Sequence, residues 1–133
     1  MIAELQQAVA RYSHALDELN VPELEAVLAE DTTWTFTMPG HRALGPVSGR
    51  TAVLDFIRAG HTAQAGRTRH HFSNVVVTAV DTATAEVRAY LLQTRNTGES
   101  IQIISTGGYT FGLRQSEGEW RIAELNLTLD NAL

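Results

Sequence analysis

The N-terminal part of the chain carries apolar side chains at the spacing of an amphipathic helix. They recur at steps of three and four residues, at Ile2, Leu5, Val9, Tyr12 and Leu16. Residues at such steps lie on one face of an α-helix, and that face is the one that packs on a core. The pattern predicts a first helix from about Ile2 to Leu19.

A second helix follows without a long connection. In the sequence Asn-Val-Pro-Glu at 20–23, Asn20 can cap a helix, Pro22 fits its first turn and Glu23 has capping-box spacing. The inward side chains of this helix are Leu24, Val27 and Leu28. The polar residues at 31–33 break the helical pattern, so we expect the helix to end before them.

Alternation of apolar and polar residues then predicts a strand that ends at Pro39-Gly40. Its apolar members are Trp34, Phe36 and Met38, with threonines between them. The segment from Gly40 to Arg50 contains three Gly and one Pro, which predicts a loop. Thr51 has the position of an N-cap for a third helix. That helix would turn Leu54, Phe56 and Ile57 inward.

From Thr68 onward the pattern changes to long strands, after a flexible connection at 60–67. Turn-forming residues at 81–84, 96–99 and 116–119 separate four strands, which favours an antiparallel meander. No repeat or linker divides the chain. The order α-α-β-α-β-β-β-β predicts one α+β domain over residues 1–133, with three helices on one face of a curved, mainly antiparallel sheet.

Composition narrows the classes of function. The chain has 133 residues, 44% of them hydrophobic, and a formal net charge of -5, with ten scattered basic residues. Nucleic-acid binding is therefore disfavoured, because it requires clustered positive charge. No apolar run is long enough for a bilayer, the N-terminus does not resemble a secretory signal, and Cys is absent. We expect a cytoplasmic protein without a membrane partner.

Two adjacent histidines stand at the start of the first meander strand. In a regular strand His70 shares a face with Phe72 and Asn74, whereas His71 shares the other face with Ser73. Only one imidazole can therefore face a given cavity. Because imidazole exchanges protons near neutral pH, the inward histidine is a candidate general base. The alternative is a hydrogen-bonded histidine of the core or rim.

Cofactor motifs are missing from the sequence. The five histidines, at positions 14, 41, 61, 70 and 71, lack the spacing of a metal motif such as His-Glu-x-x-His. There is also no glycine-rich phosphate loop, nucleophile elbow or nucleotide fingerprint. We therefore expect neither a metal nor an organic cofactor.

Several short motifs, in their order along the chain, resemble a known family. They are Arg11-Tyr12 and Asp17 on the first helix, Thr68-Arg69-His70 with Asn74, Gly108-Tyr109, and Gly118-Glu119-Trp120-Arg121-Ile122. Together they resemble the SnoaL-like branch of the nuclear-transport-factor-two-like superfamily over nearly the whole chain. The resemblance implies a cone-shaped fold that hosts dehydratases, isomerases, cyclases, epoxide hydrolases and non-catalytic modules.

Within that family, the pattern is similar to the scytalone-dehydratase and hexachlorocyclohexane-dehydrochlorinase type. This similarity implies that Asp17 pairs with His70, rather than with His71, as a catalytic dyad. Tyr12 resembles the pocket tyrosine of some steroid and bile-acid dehydratases of the same group, which implies a catalytic residue that donates a hydrogen bond to the ligand; the alternative is a core aromatic on the helical stripe. The dehydrochlorinase has a basic residue in its last strand, where this chain has Glu124. That departure disfavours halide elimination.

Glu124 is an expected general acid if the last strand turns Ile122, Glu124 and Asn126 toward the cavity. The open alternative is an outward Glu124 paired with Arg88 or Arg114. The remaining expected contacts of the substrate are mainly apolar, and several of them could equally be ordinary core. These substrate-binding candidates are Trp34, Phe36, Met38, Phe56, Asn74, Tyr90 and Asn126, with Tyr109 as a further wall residue.

The resulting hypothesis is a cofactor-independent lyase or isomerase of dehydratase or cyclase type. Its substrate would be a hydrophobic, oxygenated small molecule such as a polyketide- or steroid-like metabolite. The alternative is a non-catalytic ligand-binding or association module of the same fold. We also expect a homodimer through the outer sheet face, because an apolar stripe on the last strand would need cover. That stripe consists of Leu125, Leu127 and Leu129.

Overall fold

The structure is a computed structural model that describes residues 1–132. The helices are α1 (Ile2–Glu18), α2 (Val21–Val27) and α3 (Arg50–Ala63). The strands are β1 (Leu28–Thr37), β2 (Leu44–Ser48), β3 (Thr68–Val80), β4 (Thr84–Asn96), β5 (Ile101–Ser116) and β6 (Glu119–Leu129). Within residues 1–132, none of the helices combines the length and the apolarity that a bilayer crossing requires.

The strands form one six-stranded sheet in the order β2-β1-β6-β5-β4-β3. Only β1 and β6 run parallel, so the predicted mixed, mainly antiparallel sheet with three helices is confirmed. Strand β2 was not predicted, since its segment contains Gly45 and Pro46. It forms an edge strand that pairs only with β1, where a proline interrupts few ladder hydrogen bonds.

The capping residues explain where the helices start. The Asn20 side chain accepts a hydrogen bond from the Glu23 backbone N–H at 3.3 Å, which confirms the predicted cap of α2. Helix α3 begins one residue before Thr51, so the predicted Thr51 cap is wrong. Its N-cap is Gly49, whose φ of 92° is a conformation that glycine adopts without a steric penalty.

A β-bulge in β3 shifts the inward-facing side chains by one position. Ser73 pairs with Tyr90 and Val76 pairs with Arg88, so two residues of β3 oppose one residue of β4. Asn74, in the bulge, has a φ of 53° and an exposed side chain. The prediction that Asn74 shares the cavity face with His70 is therefore wrong, because the strand is not regular at this point.

Strand β6 has the opposite orientation from the one predicted. Leu125 and Leu127 pair with Trp34 and Phe36 of β1, and the three leucines at 125, 127 and 129 belong to the hydrophobic core. Glu124 and Asn126 are exposed on the other face. These leucines cannot form the predicted dimer patch. The reason is that the inner face of β6, together with β1, is covered by the helices.

Candidate active site

A cavity of about 260 Å³ opens between the inner face of the sheet and the helices α1 and α3. Every strand except β2 contributes to its wall, so the cavity collects residues that are far apart in sequence. A wider surface groove of about 630 Å³ lies on the outer face around Asp31, Arg114 and Glu124. We assign the site to the smaller cavity, because an apolar concave wall with few polar groups is typical of a small-molecule site.

Asp17 and His70 meet at this cavity. Asp17 lies in the last turn of α1, and His70 lies near the start of β3. The Asp17 Oδ1 atom is 2.6 Å from the His70 Nδ1 atom, and the two side chains are 19% and 15% exposed. The carboxylate accepts a hydrogen bond only from a protonated ring nitrogen, so in the neutral imidazole Nδ1 carries the proton and Nε2 carries the lone pair. This is the pair of residues that the family resemblance implied.

The same carboxylate also fixes the backbone of His70. Both of its oxygens accept from the His70 backbone N–H, at 3.1 and 3.0 Å. Strand β3 is an edge strand, and half of the N–H groups on such a strand point away from the sheet. Asp17 pairs one of these otherwise free groups. Asp17 thus holds His70 both at the ring Nδ1 atom and at the backbone N–H group.

His71 has a different environment. Its side chain is exposed, and its Nε2 atom lies 3.0 Å from the Thr94 hydroxyl on the neighbouring strand. It does not line the cavity. The strand geometry thus places one imidazole of the pair at the cavity, as the alternation predicted, and that imidazole belongs to His70.

Two tyrosine hydroxyls share the polar end of the cavity with Asp17. Burial raises the pKa of Tyr12 well above its ordinary value, and the adjacent Tyr109 and the Asp17 carboxylate add to the effect. Burial also raises the pKa of Tyr109, although hydrogen bonding from Trp34 and Tyr12 opposes the shift. Both hydroxyls are therefore neutral hydrogen-bond donors throughout the ordinary pH range.

Aromatic rings form the apolar end of the cavity. The Trp34 ring lies 5.5 Å from Phe36 and 4.5 Å from Phe56, measured between ring centroids. All three line the cavity, with the 39% exposed Phe56 contributed by α3. Met38 packs partly buried against the hydrophobic core but is not part of the cavity wall. Three of these four predicted wall residues therefore line the cavity.

Glu124 lies on the outer face of the sheet, where its side chain covers Gly112. The prediction that Glu124 faces the cavity as a general acid is therefore wrong, because β6 turns its leucines inward. Among residues 1–132, Glu124 forms no ion pair with either suggested partner, Arg88 or Arg114; the Arg114 guanidinium donates to both oxygens of Asp31, at 3.2 and 2.7 Å. These bonds lower the pKa of Asp31.

Three predicted substrate contacts also lie outside the cavity. Tyr90 is 60% exposed, because it alternates with the buried Ala89 and Leu91. Asn126 is exposed on β6, and Asn74 is exposed in the bulge. The prediction that Tyr90, Asn126 and Asn74 line the cavity is wrong, since each side chain faces the outer surface.

The structure adds cavity residues that the sequence did not single out. Polar ones are His61 and Gln64 at the end of α3, Thr68 of β3 and Gln93 of β4. The Thr68 hydroxyl donates to the Gln64 side-chain oxygen at 2.7 Å and so closes the α3–β3 connection. Of these four residues, the sequence pattern could have indicated only Thr68 and Gln93, because each occupies an inward position of a strand. Within residues 1–132 no group of three or more acidic or histidine side chains is arranged to hold a metal ion.

The fold defines a small protein with a cone-shaped α+β architecture, in which the sheet and the helices surround an open cavity. The SnoaL-like domain family matches residues 1–126, and the chain belongs to this family. No curated protein matches the chain.

Three solved structures illustrate the likeness. A cystatin-like-fold protein of unknown function from Nostoc punctiforme aligns with a TM-score of 0.81 at 20% identity, over 98% of this chain and 92% of its own. A provisionally assigned scytalone dehydratase from Novosphingobium aromaticivorans aligns with a TM-score of 0.73 at 22% identity, over 96% of this chain and 83% of its own. The β subunit of a provisionally assigned aromatic-ring-hydroxylating dioxygenase from the same bacterium aligns with a TM-score of 0.80 at 16% identity, over 98% of this chain and 90% of its own. At these identities the likeness establishes the fold.

Proposed function

We propose that the protein is a lyase or isomerase in which His70 acts as a general base on a hydrophobic, oxygenated small molecule. The observation that carries this proposal is the 2.6 Å contact between Asp17 Oδ1 and His70 Nδ1 at the cavity. An imidazole that is paired through Nδ1, and whose Nε2 atom has no hydrogen-bond partner among residues 1–132, is suited to removing a proton. The small cavity favours a ligand of one or two rings, because its volume lies near the lower end of the range of roughly 300–1,000 Å³ for ligand sites.

The reaction begins when Nε2 of His70 takes a proton from a C–H group of the substrate. The imidazolium that forms is stabilised by the Asp17 carboxylate, which also keeps the ring in one tautomer. In a dehydration, the electron pair of the broken C–H bond becomes the new C=C bond. The adjacent hydroxyl then leaves with an added proton as water. In an isomerisation, the proton returns to another carbon.

The leaving oxygen needs a proton from a group inside the cavity, and Glu124 is excluded by its position. Tyr12 and Tyr109 hold their protons too firmly for full transfer, because burial raises the pKa of each, so we assign them hydrogen bonds to the substrate. The imidazole of His61 is the remaining cavity group of a class that exchanges protons near neutral pH. We propose His61 as the general acid.

The second candidate function is a non-catalytic binding module, which the likeness to a dioxygenase β subunit favours. In such a protein the cavity would serve binding alone. The Asp17–His70 contact would then only fasten α1 to the edge of the sheet. The two functions differ in whether His70 exchanges protons with a bound ligand.

Exchange of C–H protons in D2O distinguishes them without knowledge of the substrate. 2-Tetralone, a bicyclic ketone with acidic C–H groups beside its carbonyl, is incubated with the protein and followed by proton NMR. We expect exchange above the buffer rate that His70→Gln removes and dialysis against a chelator leaves intact. Exchange that His70→Gln does not reduce would overturn the base assignment, and recovery only after metal addition would overturn the metal-free mechanism.

A further inference from the structure

Gln93 has a buried amide nitrogen without a partner. The residue is 8% exposed, lies near the end of β4 and lines the cavity. The side-chain oxygen Oε1 accepts a hydrogen bond from the Ser105 hydroxyl at 3.3 Å. The other polar atom, Nε2, has no hydrogen-bond partner among residues 1–132. A buried N–H group in that state destabilises the free protein, because it has lost its hydrogen bonds to water and has formed none within the protein.

The position of Gln93 connects this amide to the proposed base. Gln93 lies directly opposite His70 in the β3–β4 pair. The His70 backbone N–H bonds to Asp17 and not to β4, so this pair is of the non-hydrogen-bonded type. Side chains in pairs of this type lie closer together than in the hydrogen-bonded type. An unpaired donor and the proposed base are therefore neighbours on one wall of the cavity.

We propose that Gln93 is a substrate-binding residue whose Nε2 atom donates a hydrogen bond to a carbonyl oxygen next to the C–H group that His70 deprotonates. This inference rests on the proposed function and names its substrate class, a ketone or related carbonyl compound with an adjacent C–H group. When the C–H bond breaks, its electron pair forms a C=C bond and the carbonyl π pair moves onto oxygen. The Gln93 N–H group donates a hydrogen bond to that oxygen and so stabilises the negative charge that develops on it.

Loss of a hydroxyl from the next carbon, with a proton supplied by the general acid, then restores the carbonyl and completes a dehydration. Reprotonation at a different carbon instead completes an isomerisation. The Gln93 hydrogen bond strengthens as charge develops on the oxygen, so it should affect the rate more than ground-state binding. A donor placed in this way discriminates between a ketone and a hydrocarbon of the same shape.

The test uses 2-tetralone and tetralin, which lacks the oxygen, as paired ligands, because proton exchange leaves the ketone chemically intact. Dissociation constants are measured for the parent, Gln93→Met and Gln93→Glu, with Tyr90→Phe on the outer face of β4 as the matched control. In Gln93→Met we expect 2-tetralone binding weaker by roughly 3- to 10-fold and tetralin binding unchanged. Gln93→Glu, which offers only acceptors, should weaken ketone binding at least as much.

The exchange rate of bound 2-tetralone should fall by about 100-fold or more in Gln93→Met, on the scale of lost oxyanion donors. The melting temperature of Gln93→Met combines two changes, the removal of an unpaired buried amide and the loss of the acceptor for the Ser105 hydroxyl, so the ketone preference and the exchange rate are the deciding measurements. A purely structural glutamine would leave both of these unchanged.

Failure of this inference and failure of the proposed function give different results. If His70-dependent exchange and ketone preference survive in Gln93→Met, the role of Gln93 is refuted while the base assignment stands. If the parent prefers the ketone through Gln93 but catalyses no exchange, the binding site stands and the catalytic function falls. Equal affinity of the parent for ketone and hydrocarbon, or affinity for neither, overturns the Gln93 proposal.

Discussion

The Asp17 carboxylate holds His70 at two points, with Oδ1 2.6 Å from the ring Nδ1 atom and both oxygens within 3.1 Å of the backbone nitrogen. One side chain thus fastens helix α1 to the exposed edge of β3 and orients an imidazole at the cavity. A backbone anchor alone would leave the ring free to rotate. The additional ring contact is the part of this arrangement that a general base requires.

The first prediction concerns this pair. His70→Gln and Asp17→Asn should each lower the exchange rate by roughly 100- to 10,000-fold, the range typical of general acid-base groups. The introduced asparagine can still accept hydrogen bonds through its one oxygen, but it has no negative charge to stabilise the imidazolium that forms when His70 takes a proton. His71→Gln is the matched control and should retain the parent rate. A full rate in Asp17→Asn, or equal losses at His70 and His71, would contradict the assignment.

The second prediction concerns the general acid. With β-hydroxy ketones, His61→Gln should slow turnover of a substrate that loses hydroxide much more than that of an analogue whose leaving group needs no proton. Tyr12→Phe should slow both to a similar degree, because a hydrogen-bond donor to the substrate acts on both. Glu124→Gln is the control on the outer face and should match the parent with both substrates. If Glu124→Gln slowed only the substrate that loses hydroxide, Glu124 would have to be reconsidered as the general acid.

The third prediction is a loss of stability in alkali. The pKa values of Tyr12 and Tyr109 are raised in the folded protein, while tyrosine in the unfolded chain has a pKa of about 10. A raised folded pKa means that the unfolded chain releases these protons first, so stability is complete below about pH 10 and falls as the pH rises above it. Ultraviolet titration should show phenolate from Tyr12 and Tyr109 only as the protein unfolds. Tyr12→Phe should reduce the alkaline loss.

The fourth prediction concerns the β3–β4 turn. The Asp81 carboxylate accepts from the backbone N–H groups of Ala83 and Thr84 at 2.9 and 2.8 Å, and these bonds lower the pKa of Asp81. A lowered folded pKa gives a contribution that is present above the unfolded value of about 3.9 and is lost as the pH falls through the folded value. Asp81→Ala should lower the melting temperature at pH 7, and the difference from the parent should shrink as the pH falls below about 3.9. Thr82→Ala is the control.

The fifth prediction keeps the homodimer but moves its interface. The outer face of β4 and β5 exposes Tyr90 and Ile103, with exposed fractions of 60% and 70%. Both side chains lie on the same face, because Ile103 pairs with Thr94, which alternates in step with Tyr90, and exposed apolar side chains on a sheet face can join two chains. We propose that this surface joins two copies of the chain. Sedimentation should give a dimer for the parent and a monomer for Ile103→Asp, and a monomeric parent at micromolar concentration would contradict the proposal.

Much of the fold follows from local patterns in the sequence. The helical stripe of α1, the Asn20 cap and the three turns of the meander each depend on residues that are close together in the chain. Strand alternation also predicted that only one of the two adjacent histidines faces the cavity, because the strand is regular there. The choice of His70 and its pairing with Asp17 came from a family resemblance, since no local rule joins residues 53 positions apart.

Only the tertiary structure decided which way β6 faces. Leu125 and Glu124 alternate in the sequence, and either set could face the helices until the parallel pairing with β1 places Leu125 beside Trp34. The bulge at Asn74 likewise depends on how β3 meets β4. The cavity includes Gln93 and His61 because the sheet and α3 converge on one space. Local patterns specify which faces are apolar, whereas the packing of distant elements determines which side chains meet.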